Sequence, residues 1–298
     1  MREATKGITA MVATCTVWGL ASIYYKLIAH IPPIEVLAHR TLWSCAFFAF
    51  VLLMQGRLHQ LRRALAVRRS LLLIAFAALM ISFNWFMFIT SIQIGKAMQA
   101  SLGYYIFPLV AVLLGAVAFR ERLGRAQIFA VGLALCAVVT LTLGLGVPPW
   151  ISLALALTFG LYGLVKKEIS VGPVVSVTAE VLLLSPIALT VLWYFHADGH
   201  GAFGVTWRDS ALLAFSGILT GLPLIMFSYA TRRVTLATVG LVQYLNPTLQ
   251  FLVATLIFLE PFSGWHAVAF TMIWTALAIY TTASLRQDRA ARRAVPRV

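Results

Sequence analysis

ASLGYYIFPLVAVLLGAVAFRE, residues 100 to 121, returns in altered form and without gaps as VGLVQYLNPTLQFLVATLIFLE, residues 239 to 260. A slide of 139 positions superimposes Leu102 on Leu241, Tyr105 on Tyr244, Pro108 on Pro247, Leu113 on Leu252, Phe119 on Phe258 and Glu121 on Glu260, six identities in 22 positions. Apolar composition alone would not place both a proline and a terminal glutamate. Each copy is long enough to cross a membrane and is interrupted near its middle by proline. Paired interrupted runs in two halves of a chain point to the binding site of a transporter.

Working outward, the whole composition agrees with a membrane protein. Of 298 residues, 61% are hydrophobic and 11% charged, which a soluble domain of this size could not carry on its surface. A spanning helix needs about 20 mostly apolar residues. Ten such runs are expected, near 7–28, 34–54, 71–91, 98–119, 126–144, 150–165, 173–195, 210–229, 236–258 and 264–284. The first is too long for a signal-peptide core and lacks a clear cleavage site, so it reads as a retained helix.

The net charge of +14 invites a nucleic-acid partner, and its distribution argues against one. All of the 23 basic residues except Lys26, Arg40, Lys96 and Arg208 fall on one side if the N-terminus is cytoplasmic. They cluster at Arg57 to Arg69, Arg120 to Arg125, Lys166 and Lys167, Arg232 and Arg233, and Arg286 to Arg297. With short loops this bias sets orientation, so both termini are expected in the cytoplasm. Cys15, Cys45 and Cys136 lie inside apolar runs, with neither a disulfide framework nor a metal motif.

Five runs per half is an odd number, so the second half enters the membrane inverted relative to the first. Trp18-Gly19-Leu20 to Lys26 matches Phe159-Gly160-Leu161 to Lys167 at a slide of 141, and Met87-Phe88 matches Met226-Phe227 at 139. The expected fold is therefore all-α integral membrane, ten transmembrane helices as two inverted five-helix repeats. The repeats span 7–144 and 150–284 about the turn Gly144 to Trp150, and a basic cytoplasmic tail, 285–298, follows.

The stretches Val17-Trp18-Gly19, Tyr25-Lys26-Leu27, Glu35 to Arg40, Asn84-Trp85, Ala100 to Tyr104, Tyr162 to Val165 and Gln243-Tyr244 resemble the drug/metabolite transporter superfamily. More closely the chain is similar to its EamA-type branch, which includes the RarD proteins. The resemblance covers essentially the whole chain. It implies two inverted EamA repeats with the fifth and tenth helices at the periphery, residence in the bacterial inner membrane, and export of amino acids or other small metabolites. Members of the branch commonly read Asn-Pro in the first repeat; this chain has Phe107-Pro108 there and keeps Asn246-Pro247 in the second.

Proline removes a backbone donor and weakens the bond to the carbonyl four residues earlier, here those of Tyr104 and Gln243. Pro108 and Pro247 both lie roughly 15 Å from their helix starts, near the midplane, so both are expected as helix breaks beside a site. Glu35 and His39 share a face of the second helix, with Arg40 about 100° away. Glu35 and Arg40 either form an interfacial salt bridge or face the pathway. His39 and its repeat counterpart Glu180 are expected to line the pathway as substrate contacts or proton carriers.

Asn84, mid-membrane, either contacts substrate or ties helices together. Trp18 lies too deep for an interfacial aromatic belt and, with Trp85, Tyr104, Tyr105, Tyr162 and Tyr244, either walls a cavity or packs. Gln243 and Asn246 complete the expected substrate-binding set. Trp150, Trp193, Tyr194 and Trp207 fit outer-interface anchors. Gly217 with Gly221, and Gly132 with Cys136, read as close helix packing.

The sequence holds no metal-ligand cluster, phosphate loop or nucleotide-binding domain, which excludes a nucleotide-driven pump on this chain and gives no reason to expect a cofactor. Its nine acidic residues are too scattered for a membrane-embedded lipid enzyme. A channel would favour rings of like groups in a symmetric oligomer, whereas this chain carries its own two-fold repeat. A purely structural protein has little reason to bury His39, Glu180, Asn84 and Gln243. The expected partners are a small-molecule substrate, an amino acid or similar metabolite, and membrane lipids; no nucleic acid is expected, and the expected unit is a monomer.

Overall fold

The computed structural model describes residues 3–119, 123–146, 148–234 and 236–294. The chain forms α1 (Glu3–Leu27), α2 (Pro33–Met54), α3 (Leu58–Ala66), α4 (Arg68–Gln93), α5 (Ala97–Phe119), α6 (Arg125–Leu145) and α7 (Trp150–Glu168). It continues through α8 (Pro173–Ala197), α9 (Trp207–Thr231), α10 (Leu236–Gln243), α11 (Leu245–Leu252), a π-helical stretch Val253–Ile257, and α12 (Gly264–Ala294). Among the described residues the only extended pairing is a bridge between Phe203 and Thr206.

Local chemistry sets the boundaries. Pro33 and Pro173 each open a helix at its first position, where the missing N–H is no loss. Thr206 caps α9 by accepting from the Asp209 amide, and its hydroxyl donates to the Asp209 carboxylate. Gly146 ends α6 at φ 70°, a left-handed conformation that glycine reaches without a Cβ clash.

Nine helices among the described residues are long and apolar enough to cross a membrane. The run expected at 236–258 is instead divided: α10 and α11 have 8 residues each and part at Tyr244. The basic Arg57 to Arg69 segment is also not a plain loop. Most of it is α3, which tucks Leu61 and Ala64 against Leu52, Ile74, Val175 and Ala179 and leaves Arg62 and Arg63 exposed. That amphipathic pattern suits a helix lying at the interface.

Packing pairs off along the chain. α5 lies along α7 as α11 lies along α1, and α4 packs on α7 as α9 packs on α1. α2 and α8 pack on each other, as do α6 and α12. The outer surface is apolar, with Phe50, Leu72, Leu79, Leu143 and Leu256 exposed. A surface of this kind requires lipid around it. Trp150, Trp193, Tyr194 and Trp207 are exposed at helix ends, as interfacial anchors should be.

Close approaches fall where glycine permits them. A Cβ on Gly217 would sit 2.6 Å from the Trp43 carbonyl, and one on Gly221 would strike the Phe47 ring, so these two glycines seat α9 on α2 as expected. Gly132 does not behave this way. Nothing lies within 4 Å of its Cβ position and Cys136 is exposed, because α6 turns that face away from its neighbours.

Candidate functional site

At one end of α2, Glu35 is fully buried and its Oε1 accepts from the Ala202 amide at 2.6 Å. His39, one turn further, has Nε2 4.0 Å from Glu35 and its ring stacked on Phe203 at 5.0 Å. Trp43 meets the same phenylalanine at 6.0 Å. The segment between α8 and α9 thus covers this end of α2. His39 Nε2 and Glu35 Oε2 have no hydrogen-bond partner.

Arg40 points away from that cover, because adjacent helical residues diverge by about 100°. Its Cζ lies 3.7 Å from the centroid of the Trp85 ring. The phenols of Tyr25, Tyr104 and Tyr24 act on the guanidinium, and Nε has no acceptor. It forms no salt bridge with Glu35. The interfacial-pair alternative fails because Glu35 is turned toward the Ala202 amide.

A file of aromatic rings runs on from there. Tyr25 and Trp85 both meet Phe88 edge-on, Phe88 meets Tyr104 at 5.8 Å, Tyr104 meets Phe159 at 5.9 Å, and Phe159 stacks on Tyr162 at 6.0 Å. Asn84 lies beside it, donating to the Leu155 carbonyl and Thr158 hydroxyl and accepting from Tyr104. Its amide ties α4, α5 and α7 together.

The file ends at Glu180. Its carboxylate accepts from Lys166 at 2.6 Å, Ser176 at 2.9 Å and Tyr162 at 3.2 Å. Lys166 belongs to the basic cluster expected on the cytoplasmic face, yet its side chain is only 22% exposed because the four-carbon stem reaches back along α7. His39 and Glu180, equivalent at the slide of 141, stand on the packed pair α2 and α8.

The prolines behave differently from each other. α5 runs through Pro108 without a break, so Pro108 is not a helix break; one lost N–H bond is tolerated where the helix is packed against α7 and α11. Pro247 follows the interruption at Tyr244, and its carbonyl accepts from Ser101 of α5. Asn246 accepts from Gln250, and Tyr105 shares a hydrogen bond with Thr248 at 2.7 Å.

Tyr105 and Tyr244 do not join the central file. With Leu241, Thr248, Trp274 and Thr281 they line a lateral cavity of about 560 Å³ between α5, α10, α11 and α12. Trp18 packs near Phe227 of α9 at 5.9 Å, and Gln243 is half-buried at the end of α10. The structure therefore brings Tyr104, Asn84 and Glu180 together, sets His39 under the α8–α9 segment, and places Tyr105 and Tyr244 at the side. Sequence reasoning undervalued Arg40 and missed Lys166. Arg40's signal was its depth, roughly 10 Å into α2.

Long apolar helices with ionisable and aromatic groups gathered between them define a multi-pass membrane protein. The model of the EamA-like transporter family matches residues 5–143. An uncharacterized transporter, YojE of Bacillus subtilis, is 38% identical over 97% of this chain and 98% of its own. Protein RarD of Streptomyces exfoliatus is 41% identical over 92% of this chain and 88% of its own, and protein RarD of Escherichia coli is 34% identical over 97% and 98%. A solved crystal structure superimposes with a TM-score of 0.62 at 17% identity, covering 94% of this chain and 98% of that one, which supports the fold. The chain belongs to the EamA-like transporter family of the drug/metabolite transporter superfamily, as a RarD-like transporter.

Proposed function

We propose that the chain is a secondary transporter that exports small metabolites, amino acids foremost, across the bacterial inner membrane by alternating access between two inverted repeats. Ten spans are counted by taking the divided run 236–257 as the ninth, with both termini cytoplasmic and the unit a monomer. The repeats are 7–144 and 150–284. One observation carries the reading: buried and half-buried ionisable and aromatic groups from both halves form a single file from Arg40 to Glu180. A solute path needs its site at mid-depth so that either side can be exposed in turn. The recurrence of α5 on α7 in α11 on α1 supports the repeat.

In this reading Trp18, His39, Asn84, Tyr104, Glu180, Gln243 and Asn246 border the solute's route, Tyr105 and Tyr244 face the lateral cavity beside it, and movement occurs about the break that precedes Pro247. Purified protein in proteoliposomes should exchange labelled amino acids across the bilayer. Absence of exchange for every amino acid would remove that substrate class. Cysteine labelling at Arg63 from outside intact cells should fail; labelling there would reverse the topology.

A facilitative mechanism is the second reading, and the contacts of Glu180 with Lys166, Ser176 and Tyr162 favour it, since they tie this carboxylate into the contact between α7 and α8. H39Q and E180Q decide between them. A proton-coupled exporter loses pH-driven accumulation in one of these variants while equal-pH exchange continues; a facilitator shows no pH-driven accumulation at all.

A further inference from the structure

A guanidinium carries five donors, accepts nothing and is not neutralised in a protein. Arg40 is only 8% exposed, lies against Trp85 at 3.7 Å and leaves Nε–H without an acceptor. None of the ion pairs among the described residues includes it. The phenols of Tyr25, Tyr104, Tyr24 and Tyr162 surround it. The acids of the same region are engaged elsewhere: Glu35 accepts from the Ala202 amide, and Glu180 from Lys166, Ser176 and Tyr162. An uncompensated cation inside a membrane protein is costly, and such groups mark substrate pathways.

We propose that Arg40 anchors one carboxylate of the transported solute, on a platform made by Trp85 and flanked by the phenols of Tyr25 and Tyr104. This deepens the transporter reading and rests on it. Charge counting selects the class. Among the described residues that line this file, Lys166 is held by Glu180 and Arg40 pairs with no acid, so the file offers one guanidinium, which matches a single carboxylate and would leave a phosphate dianion half uncompensated. Geometry agrees: Trp85 covers a face of the guanidinium, leaving its edge, and an edge with parallel N–H groups matches a planar carboxylate. The same ring stacking holds the guanidinium in place before the solute arrives, so little freedom is lost on binding.

Titration calorimetry on the purified full chain tests this with L-leucine, L-leucinamide and inorganic phosphate as probes, repeated across other amino acid and amide pairs. The wild type should bind an acid at least about tenfold more tightly than its amide and more tightly than phosphate. R40Q should lose at least about thirtyfold in affinity for the acid and bind the amide no worse than the wild type, while R40K keeps part of the acid preference. A structural role for Arg40 would weaken both ligands together, so the acid-to-amide ratio reports the anchor rather than folding. Equal binding of acids and amides by the wild type, phosphate binding more tightly than acids, or an unchanged ratio in R40Q would overturn the proposal. No acid binding by the wild type overturns it as well. Proteoliposome flux separates the two claims: amides crossing as fast as acids leaves a transporter without this anchor, whereas acid binding without any flux leaves the anchor and removes the transport reading.

Discussion

The two copies of the proline-bearing run share six identities and fold differently. α5 continues for 23 residues through Pro108, whereas the second copy parts at Tyr244 and passes into a π-helical stretch. Each proline removes the same backbone donor. The neighbours differ. Thr248 donates to the Tyr244 carbonyl at 2.6 Å, and Gln250 bonds Asn246 at 3.0 Å; the matching positions in the first copy are Leu109, Phe107 and Ala111. Short polar side chains offer backbone groups an alternative to the helical ladder, and apolar ones do not. Proline marks where a helix can open, and the side chains around it decide whether it does.

Glycine contacts sharpen the contrast most strongly. Gly19 on α1 faces Leu249 of α11, and its counterpart Gly160 on α7 faces Val110 and Leu114 of α5; Val110 and Leu249 are equivalent at the slide of 139. A Cβ at Gly19 would meet the Leu249 Cβ at 2.6 Å and the Asn246 carbonyl at 3.0 Å, atoms that cannot swing aside. At Gly160 the nearest atom is a Leu114 methyl at 2.9 Å, the free end of a side chain. G19A should therefore cost about 2 to 3 kcal/mol and G160A about 1 kcal/mol or less, by denaturant titration in micelles. Equal losses would mean that the two contacts are equally rigid.

Next in size is E260Q. Glu260 closes the second copy, and its carboxylate accepts from the Ala97 and Met98 amides at 2.6 and 2.8 Å, capping the first copy's helix. Loss of two charge-assisted bonds at a helix N-terminus should cost about 2 kcal/mol. A melting temperature matching wild type would show that the cap is replaced by water. Glu121, its repeat partner, lies outside the described residues.

A smaller change converts one copy into the other. N246F with T248L gives the second copy the apolar neighbours of the first, and amide exchange at Tyr244 and Leu245 should slow toward that of Tyr105 and Ile106. Loss of the Tyr105 to Thr248 bond limits the stability change to about 1 kcal/mol. Unchanged exchange would place the cause of the break elsewhere, in the π-helical stretch. The least effect is expected of P108A, below about 1 kcal/mol, since α5 is already continuous.

Much of this was readable from the chain. Apolar runs long enough to span, and the repeat with its paired prolines, follow from periodicity and spacing, which need no tertiary context. The ninth run was legible as an apolar segment but its division was not, because the break depends on side chains bonding within one turn. α3 was read as a basic loop, being nine residues long and too polar to register beside the spans. The site was half legible. Glu180 and Asn84 stood out as polar residues in apolar surroundings, whereas Arg40 was weighed against a salt bridge with Glu35 that required knowing where the Ala202 amide lies. Tyr105 and Tyr244 share the motif of the central residues yet face the lateral cavity, a matter of helix rotation that sequence does not encode locally.

If solute passes between the halves, the α8–α9 segment must leave α2 for one side to open. E35C with A202C, in a chain lacking Cys15, Cys45 and Cys136, places two thiols where the Glu35 to Ala202 bond now holds α2 of the first half to the segment of the second. In proteoliposomes, complete cross-linking with a short bifunctional reagent whose bridge is cleaved by reductant should abolish amino acid exchange, and reductant should restore it in the same sample. Exchange that continues undiminished in fully cross-linked protein would contradict the claim.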